Sequence, residues 1–161
     1  MKIRRATIED AEPIHRAHMR SIQEICAKDY TEKEIQAWGH RPYREDLRIN
    51  SIKNDLVWVV EDEGEIEGFG HLQVFTKDGV TQGYVVALYF TPKVTGKSLG
   101  KTMIGLMIEA LREAKICVLT LQSTITSLDF YRKMGFMENG PMTTANVEGT
   151  PIPCYPMKME W

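Results

Sequence analysis

Leu88-Tyr89-Phe90-Thr91-Pro92-Lys93-Val94-Thr95-Gly96-Lys97-Ser98-Leu99-Gly100-Lys101 passes from an apolar, aromatic run through a Gly- and Lys-rich loop into a strongly periodic segment. The first part reads as the end of a strand: aromatic residues favour the pleated conformation, and Thr91-Pro92 stops the ladder. Downstream, Leu99, Met103, Leu106, Met107, Ala110 and Leu111 recur at helical spacing, which predicts an amphipathic helix over Leu99–Ala114. Between strand and helix, Gly96 to Lys101 would offer unpaired main-chain N–H groups at the positive end of a helix dipole. Glycines there allow close approach, so the loop suits phosphate oxygens. No acidic residue occurs from Gly79 to Ile108, whereas Lys93, Lys97 and Lys101 crowd one short segment, which further favours an anion. The competing reading is a Gly-bearing turn with solvated lysines.

Upstream, Gln82–Phe90 is the third of three antiparallel strands. Leu56–Val60 is a β-branched and aromatic run, the turn Glu63-Gly64 leads into a strand over Glu65–Phe75, and Lys77-Asp78-Gly79 turns into the third. Ahead of these, residues 2–6 predict a short strand, and Thr7 with Asp10 predicts a capping box opening a helix through Ala27, with Ile14, Ala17, Ile22 and Ile25 inward. A second box, Thr31-x-x-Glu34, opens a short helix carrying Ile35 and Trp38 and ending at Gly39, and Pro42 opens a third helical piece through Leu47. After the long helix come a strand over Ile116–Leu121, a helix over Thr124–Lys133 ended by Gly135, and two strands around a turn at Gly149. Antiparallel strands beside a strand-helix-strand crossover predict an α/β sandwich with a central mixed, mostly antiparallel sheet, forming a single domain over residues 1–161.

Composition narrows the function classes. With 43% apolar and 26% charged residues the chain reads as an ordinary globular protein, and a formal charge of −2 supplies no field for a nucleic-acid backbone. Cys26, Cys117 and Cys154 show no C-x-x-C spacing, so neither a disulfide framework nor a metal site is expected, and reduced thiols in a cytoplasm are the simplest reading. The basic start at Lys2, Arg4 and Arg5 is followed by Glu9, Asp10 and Glu12 rather than an apolar core, and no run of roughly 18 apolar residues predicts a membrane span.

Gly100-Lys101-Thr102 imitates the end of a Walker A loop. That loop needs four residues between its first glycine and the Gly-Lys pair, whereas Gly96 and Gly100 enclose three and Thr95 stands where the first glycine belongs. The apolar run Ile116–Leu121 also ends without the Asp that would hold magnesium. Leu88-Tyr89-Phe90-Thr91-Pro92 followed by Thr95-Gly96-Lys97-Ser98-Leu99-Gly100-Lys101 instead resembles the coenzyme A motif of Gcn5-related (GNAT) N-acyltransferases, usually Gln/Arg-Gly-x-Gly-x-Gly/Ala. Thr124-x-x-Ser127-x-x-x-Tyr131-x-Lys133-x-Gly135-Phe136 is similar to the family's Asn-x-x-Ala-x-x-x-Tyr-x-Lys-x-Gly-Phe segment, in the family's order. Three positions depart from the pattern: Thr95 for Gln or Arg, Ser98 for the middle glycine, and Thr124 for Asn. Ser98 is expected to cap the helix instead.

The resemblance implies acetyl-coenzyme A as co-substrate and an amine acceptor on a small molecule, peptide or protein. It implies that the strand at Ala87–Phe90 splays from the one at Ile116–Leu121, with main-chain groups of Leu88, Tyr89 and Phe90 meeting pantetheine and the thioester. Thr95, Gly96, Lys97, Ser98, Leu99, Gly100 and Lys101 would hold the pyrophosphate, Thr124 and Ser127 would line the arm, and Tyr131 would protonate the departing thiolate. Aromatic packing at a helix end is the alternative for Tyr131. The general base stays open among Asp78, Glu61 and His71. Tyr30, Trp38 and Tyr43 are candidates for the acceptor cleft or for core packing between short helices. A catalytically silent coenzyme A-binding sensor or scaffold is the other function class, and the exposed edges of the last strands leave a homodimer open.

Overall fold

The computed structural model describes Met1–Trp161. Its helices are α1 (Ala11–Glu24), α2 (Glu32–Trp38), α3 (Glu45–Asn54), α4 (Leu99–Glu113) and α5 (Leu128–Lys133). Its strands are β1 (Lys2–Arg5), β2 (Leu56–Asp62), β3 (Glu65–Lys77), β4 (Val80–Phe90), β5 (Val118–Ser123), β6 (Met137–Glu138), β7 (Thr143–Val147) and β8 (Thr150–Glu160). One sheet runs β1-β2-β3-β4-β5-β8-β6, with β7 on β8. Every pairing is antiparallel except β4 with β5, which are joined through α4; a parallel pair requires such a crossover. No helix is long and apolar enough to cross a membrane.

Both faces of the sheet are covered, which is why β2 is apolar from Leu56 to Val60 rather than alternating. Trp58 and Val60 pack with Met103 and Met107 of α4, while Val57 and Val59 pack with Ile14 of α1 and Phe69. Two glycines set the distance between α4 and the sheet: a Cβ on Gly70 would lie 2.6 Å from Met103 Cγ, and one on Gly83 would lie 2.6 Å from Leu111 Cδ1. The expected Thr31 box is reciprocal, with Glu34 N–H donating to Thr31 Oγ1 at 3.2 Å and Thr31 N–H to Glu34 Oε1 at 2.8 Å.

Some boundaries differ from expectation for identifiable reasons. The helix expected from Thr7 through Ala27 is divided into a 3-10 turn at Ile8–Asp10, α1, and a second 3-10 turn at Cys26–Lys28. Asp10 Oδ2 accepts the Thr7 N–H at 2.8 Å and an Arg4 N–H at 2.7 Å, so the first turn is closed locally before α1 begins. The third helix begins at Glu45, not Pro42, and continues to Asn54 although it buries no residue. It carries Glu45 and Asp46 at the start and Lys53 at the finish, which suits the helix dipole, and no apolar period announces it. Residues 125–127 form a turn, and α5 starts only at Leu128; Thr124 Oγ1 accepts the Ser127 N–H at 3.1 Å, which satisfies that N–H without helix. Ile116 lies outside β5 because its N–H closes the end of α4 on Leu111 O at 2.8 Å.

Candidate functional site: a forked sheet between two cavities

β4 and β5 pair only over a short stretch, where Gly83, Tyr84 and Val85 face Leu119, Thr120 and Leu121 respectively. Beyond it β4 runs on to Phe90 along β3, and β5 runs on to Ser123 along β8, so the two strands part. The fork starts at a bulge: Leu72 faces Val85 and His71 faces Ala87, leaving Val86 as the extra residue on β4. Such a bulge bends and twists its strand.

A cavity of about 620 Å³ opens from the fork, within the usual range for small-molecule sites. Leu88, Tyr89 and Phe90 form one wall, the loop and the start of α4 a second, and Thr126, Ser127, Phe130 and Tyr131 a third. Thr95, Gly96, Ser98, Leu99, Gly100 and Lys101 all line it. Lys97 is exposed on the loop and does not, and Thr124 lies in a narrow adjoining crevice with Val85 and Leu121. The first bond of α4 runs from Thr102 N–H to Ser98 O at 3.1 Å, so the N–H groups of Leu99, Gly100 and Lys101 have no partner within the helix.

Ser98 does not cap α4 as expected. Its backbone is left-handed (φ 60°) and its side chain makes no capping bond, because a capping side chain needs an extended backbone at that position. The left-handed turn also explains why glycine suits this place in the motif. A Cβ on Gly100 would lie 2.8 Å from Phe130 Cζ, so glycine lets α4 approach α5. Lys97 and Lys101 form no ion pair here, whereas Lys93 turns away to Asp62 at 3.1 Å and Glu63 at 2.9 Å.

The spacing Tyr131…Gly135-Phe136 is a helix-ending motif. Phe136 N–H donates to Tyr131 O at 3.0 Å and Gly135 N–H to Arg132 O at 3.0 Å, with Gly135 left-handed at φ 99°. The Phe136 ring meets the Tyr131 ring edge-on, 5.4 Å between centroids. Tyr131 is thereby fixed in the cavity wall, buried, with no protein partner for its hydroxyl; burial pushes its pKa well above the ordinary tyrosine value. Nearby, Thr126 Oγ1 is buried with no oxygen or nitrogen partner, and only the weakly bonding Cys26 thiol is close. An under-satisfied hydroxyl beside a forked sheet and an open helix end fits an amide-rich arm ending in phosphates.

A second cavity of about 440 Å³ lies on the α1 side, with Tyr89 in the walls of both. His15 and His18 of α1, Trp38, Arg41, Tyr43, Arg48 of α3, and His71 and Ala87 from the sheet line it. Of the three base candidates, His71 reaches this cavity, with Nε2 2.7 Å from Asp55 Oδ2, and burial lowers its pKa. Donation to a carboxylate fixes the tautomer and leaves Nδ1 as the acceptor. Glu61 is held by Arg4 at 2.7 Å and Asp78 sits in the β3–β4 turn; neither lines the cavity. Trp38 and Tyr43 line it, Trp38 also packing in a core cluster with Tyr30, and Tyr30 does not line it. Tyr30 donates to Pro153 O at 2.8 Å and accepts the Ile125 N–H at 2.9 Å, a bracing role. Thr126, Phe130, His18, Arg41 and Arg48 line the two cavities and are not singled out by the sequence pattern. Phe130 is detectable as the neighbour of Tyr131, but the others come from separate elements with no shared period.

The family model of the acetyltransferase (GNAT) domain matches residues 26–161. The chain belongs to the GNAT acetyltransferase family. A relative, the uncharacterized N-acetyltransferase ycf52 of Pyropia yezoensis, is 28% identical over 105 residues, covering 63% of this chain and 59% of that protein. The chain therefore matches little more than half the length of this curated relative. In fold it is similar to a GCN5-related N-acetyltransferase of Rhodopseudomonas palustris, with a TM-score of 0.85, 21% identity, and coverage of 99% and 95% of the two chains. It is also similar to the PaiA N-acetyltransferase of Thermoplasma acidophilum, solved in complex with coenzyme A, with a TM-score of 0.77, 22% identity, and coverage of 99% and 98%. The α/β sandwich expected from the element order is the fold observed, and it is the GNAT fold that the motif resemblance implied.

Proposed function

We propose that the chain is a single-domain N-acetyltransferase that moves an acetyl group from acetyl-coenzyme A to a primary amine by direct attack. The observation that carries this reading is the fork between β4 and β5, which opens onto the unpaired N-terminus of α4 and has Tyr131 in its wall. The PaiA relative, solved with coenzyme A, supports the same choice of donor.

In this reading Leu99, Gly100 and Lys101 bind pyrophosphate through main-chain N–H groups, with Lys101 adding charge. Main-chain groups of Leu88–Phe90 hold the arm, and an N–H near Leu88 or Tyr89 polarises the thioester carbonyl. The amine nitrogen forms a bond to the carbonyl carbon as the carbon–sulfur bond breaks. Tyr131 passes its proton to the leaving sulfur; burial keeps the phenol protonated until then. His71 takes the proton released by the amine, directly or through water, with Asp55 orienting its ring.

Thermal unfolding with acetyl-coenzyme A against ATP-magnesium tests the donor. A ligand at 100 times its Kd stabilises the native state by about 2.7 kcal/mol. A shift with acetyl-coenzyme A alone, followed by free-thiol release with an amine, is the expected result. No shift at millimolar acetyl-coenzyme A overturns the reading. A shift with no thiol release from any amine identifies instead a silent coenzyme A-binding protein.

A further inference from the structure

The second cavity is built around two arginines that make no ion pair, with Glu148 acting on Arg41 only at longer range. Arg41 and Arg48 are partly buried in its wall, and neither makes an ion pair with any carboxylate in the protein. Arg41 uses one N–H, its Nε donating to Trp38 O at 2.9 Å, and Arg48 lies over the Phe69 ring at 5.2 Å without a hydrogen bond to a protein acceptor. A guanidinium carries five donors in a fixed fork, so most of the donors on both residues are unused. By contrast, Arg44 at the rim is paired with Asp46 at 3.5 Å, and His71 is paired with Asp55. Glu148 is the one acidic residue in the cavity wall, and it contacts neither arginine as an ion pair.

A second, independent observation comes from His18. It is 9% exposed, lines the same cavity, and has no hydrogen-bond partner at either ring nitrogen. Its ring sits 4.3 Å from that of Tyr89, the residue shared with the donor cavity. Partly buried guanidiniums and an unsatisfied imidazole are costly unless something completes them. A cavity of about 440 Å³ holds a small molecule rather than a folded partner.

We infer that the acceptor is a small primary amine bearing an oxyanion, a carboxylate or a phosphate monoester, which Arg41 and Arg48 bind while the amine is directed past Tyr89 toward the fork. This deepens the acetyltransferase reading and rests on it. Arginine forks match both oxyanions bidentately. They also select against polyamines and other cationic acceptors, which the same charges repel.

The test uses the whole chain with acetyl-coenzyme A and matched amines: amino acids against their carboxamides, phosphoethanolamine against ethanolamine, and spermidine as the cationic control. Free-thiol release should favour each anionic member at least tenfold in kcat/KM over its uncharged match, and the better pair distinguishes carboxylate from phosphate. Arg48→Gln and, separately, Arg41→Gln should raise KM for the anionic amine at least tenfold while leaving KM for acetyl-coenzyme A within twofold. Calorimetric binding of the anionic amine in the presence of coenzyme A provides a readout independent of turnover. Equal or better use of uncharged or cationic amines, or wild-type KM in both arginine variants, overturns the inference while leaving the acetyltransferase reading intact. If acetyl-coenzyme A itself fails to bind, the reading beneath it has failed instead.

Discussion

Replacing Tyr131 with Phe removes one oxygen from the wall of the donor cavity. The hydroxyl has no partner in the protein, so no buried acceptor is orphaned by its loss. The ring keeps its contacts with Phe130 at 5.1 Å and Phe136 at 5.4 Å, and the Phe136 N–H still bonds to the carbonyl of residue 131. Stability should therefore change by no more than about 1 kcal/mol, since no protein hydrogen bond is lost and the ring packing is kept. Loss of a general acid, in contrast, should lower kcat by roughly 10²–10⁴-fold with little change in KM for acetyl-coenzyme A. The assay is steady-state thiol release, with thermal unfolding of both proteins as the control. Burial raises the folded pKa of Tyr131, so its stabilising proton is fully present below about pH 10, the unfolded value, and is lost as pH rises through the higher folded value. Wild-type activity should not fall below that range through loss of this proton. A variant with wild-type kcat refutes the assigned role; a variant that unfolds shows that the hydroxyl has a structural partner after all.

Other consequences are open to separate measurement. Lys115 is left-handed (φ 59°) just past α4, with its N–H on Arg112 O and the Ile116 N–H on Leu111 O, so Lys115→Gly should stabilise by about 1 kcal/mol in urea titration. An unchanged or lower midpoint counts against strain there. Burial holds the His18 pKa well below its ordinary value, so its contribution to stability is present above about pH 6.5 and lost as pH falls through the folded value. His18→Phe should therefore lose less stability than wild type between about pH 7.5 and 5.5, and equal losses would assign the acid sensitivity elsewhere. Deleting Val86 should abolish acetyl-coenzyme A binding measured by calorimetry even where circular dichroism shows folded protein, and retained affinity would show that the bulge is dispensable.

The elements around the donor cavity are legible in the sequence because their signals are local. A strand, a breaker, a glycine loop and an apolar helical period follow one another from Leu88 to Leu111, and the bonds that seat Tyr131 run within the short segment to Phe136. The full extent of α3 is not legible, because a helix with no fully buried residue leaves no clear apolar period and only its charged ends mark it. The second cavity is hidden for a different reason. Arg41 and Arg48 stand apart on a loop and a helix, and they meet His18 and His71 only because α1 and α3 pack on the same face of the sheet. Nothing in a linear pattern distinguishes them from solvated arginines.

The bulge at Val86 explains how one strand serves both cavities. In a regular strand alternate residues share a face, so Val85, Ala87 and Tyr89 would lie together. Instead Val85, Leu88 and Phe90 pack toward α4, while Ala87 and Tyr89 pack toward α1 and Phe69. The extra residue shifts the parity of everything after it. Leu88 and Phe90 consequently face the side on which the helix end and Tyr131 wait, and Tyr89 turns toward His18. Without the shift, Tyr89 would enter the α4 core and Leu88 would replace it beside the histidines. The same irregularity coincides with the point where β4 leaves β5, so the side-chain parity and the opened main chain arise together. In the proposed reaction, a donor on one side and an amine on the other would then meet at the fork, across the backbone of Ala87 to Tyr89.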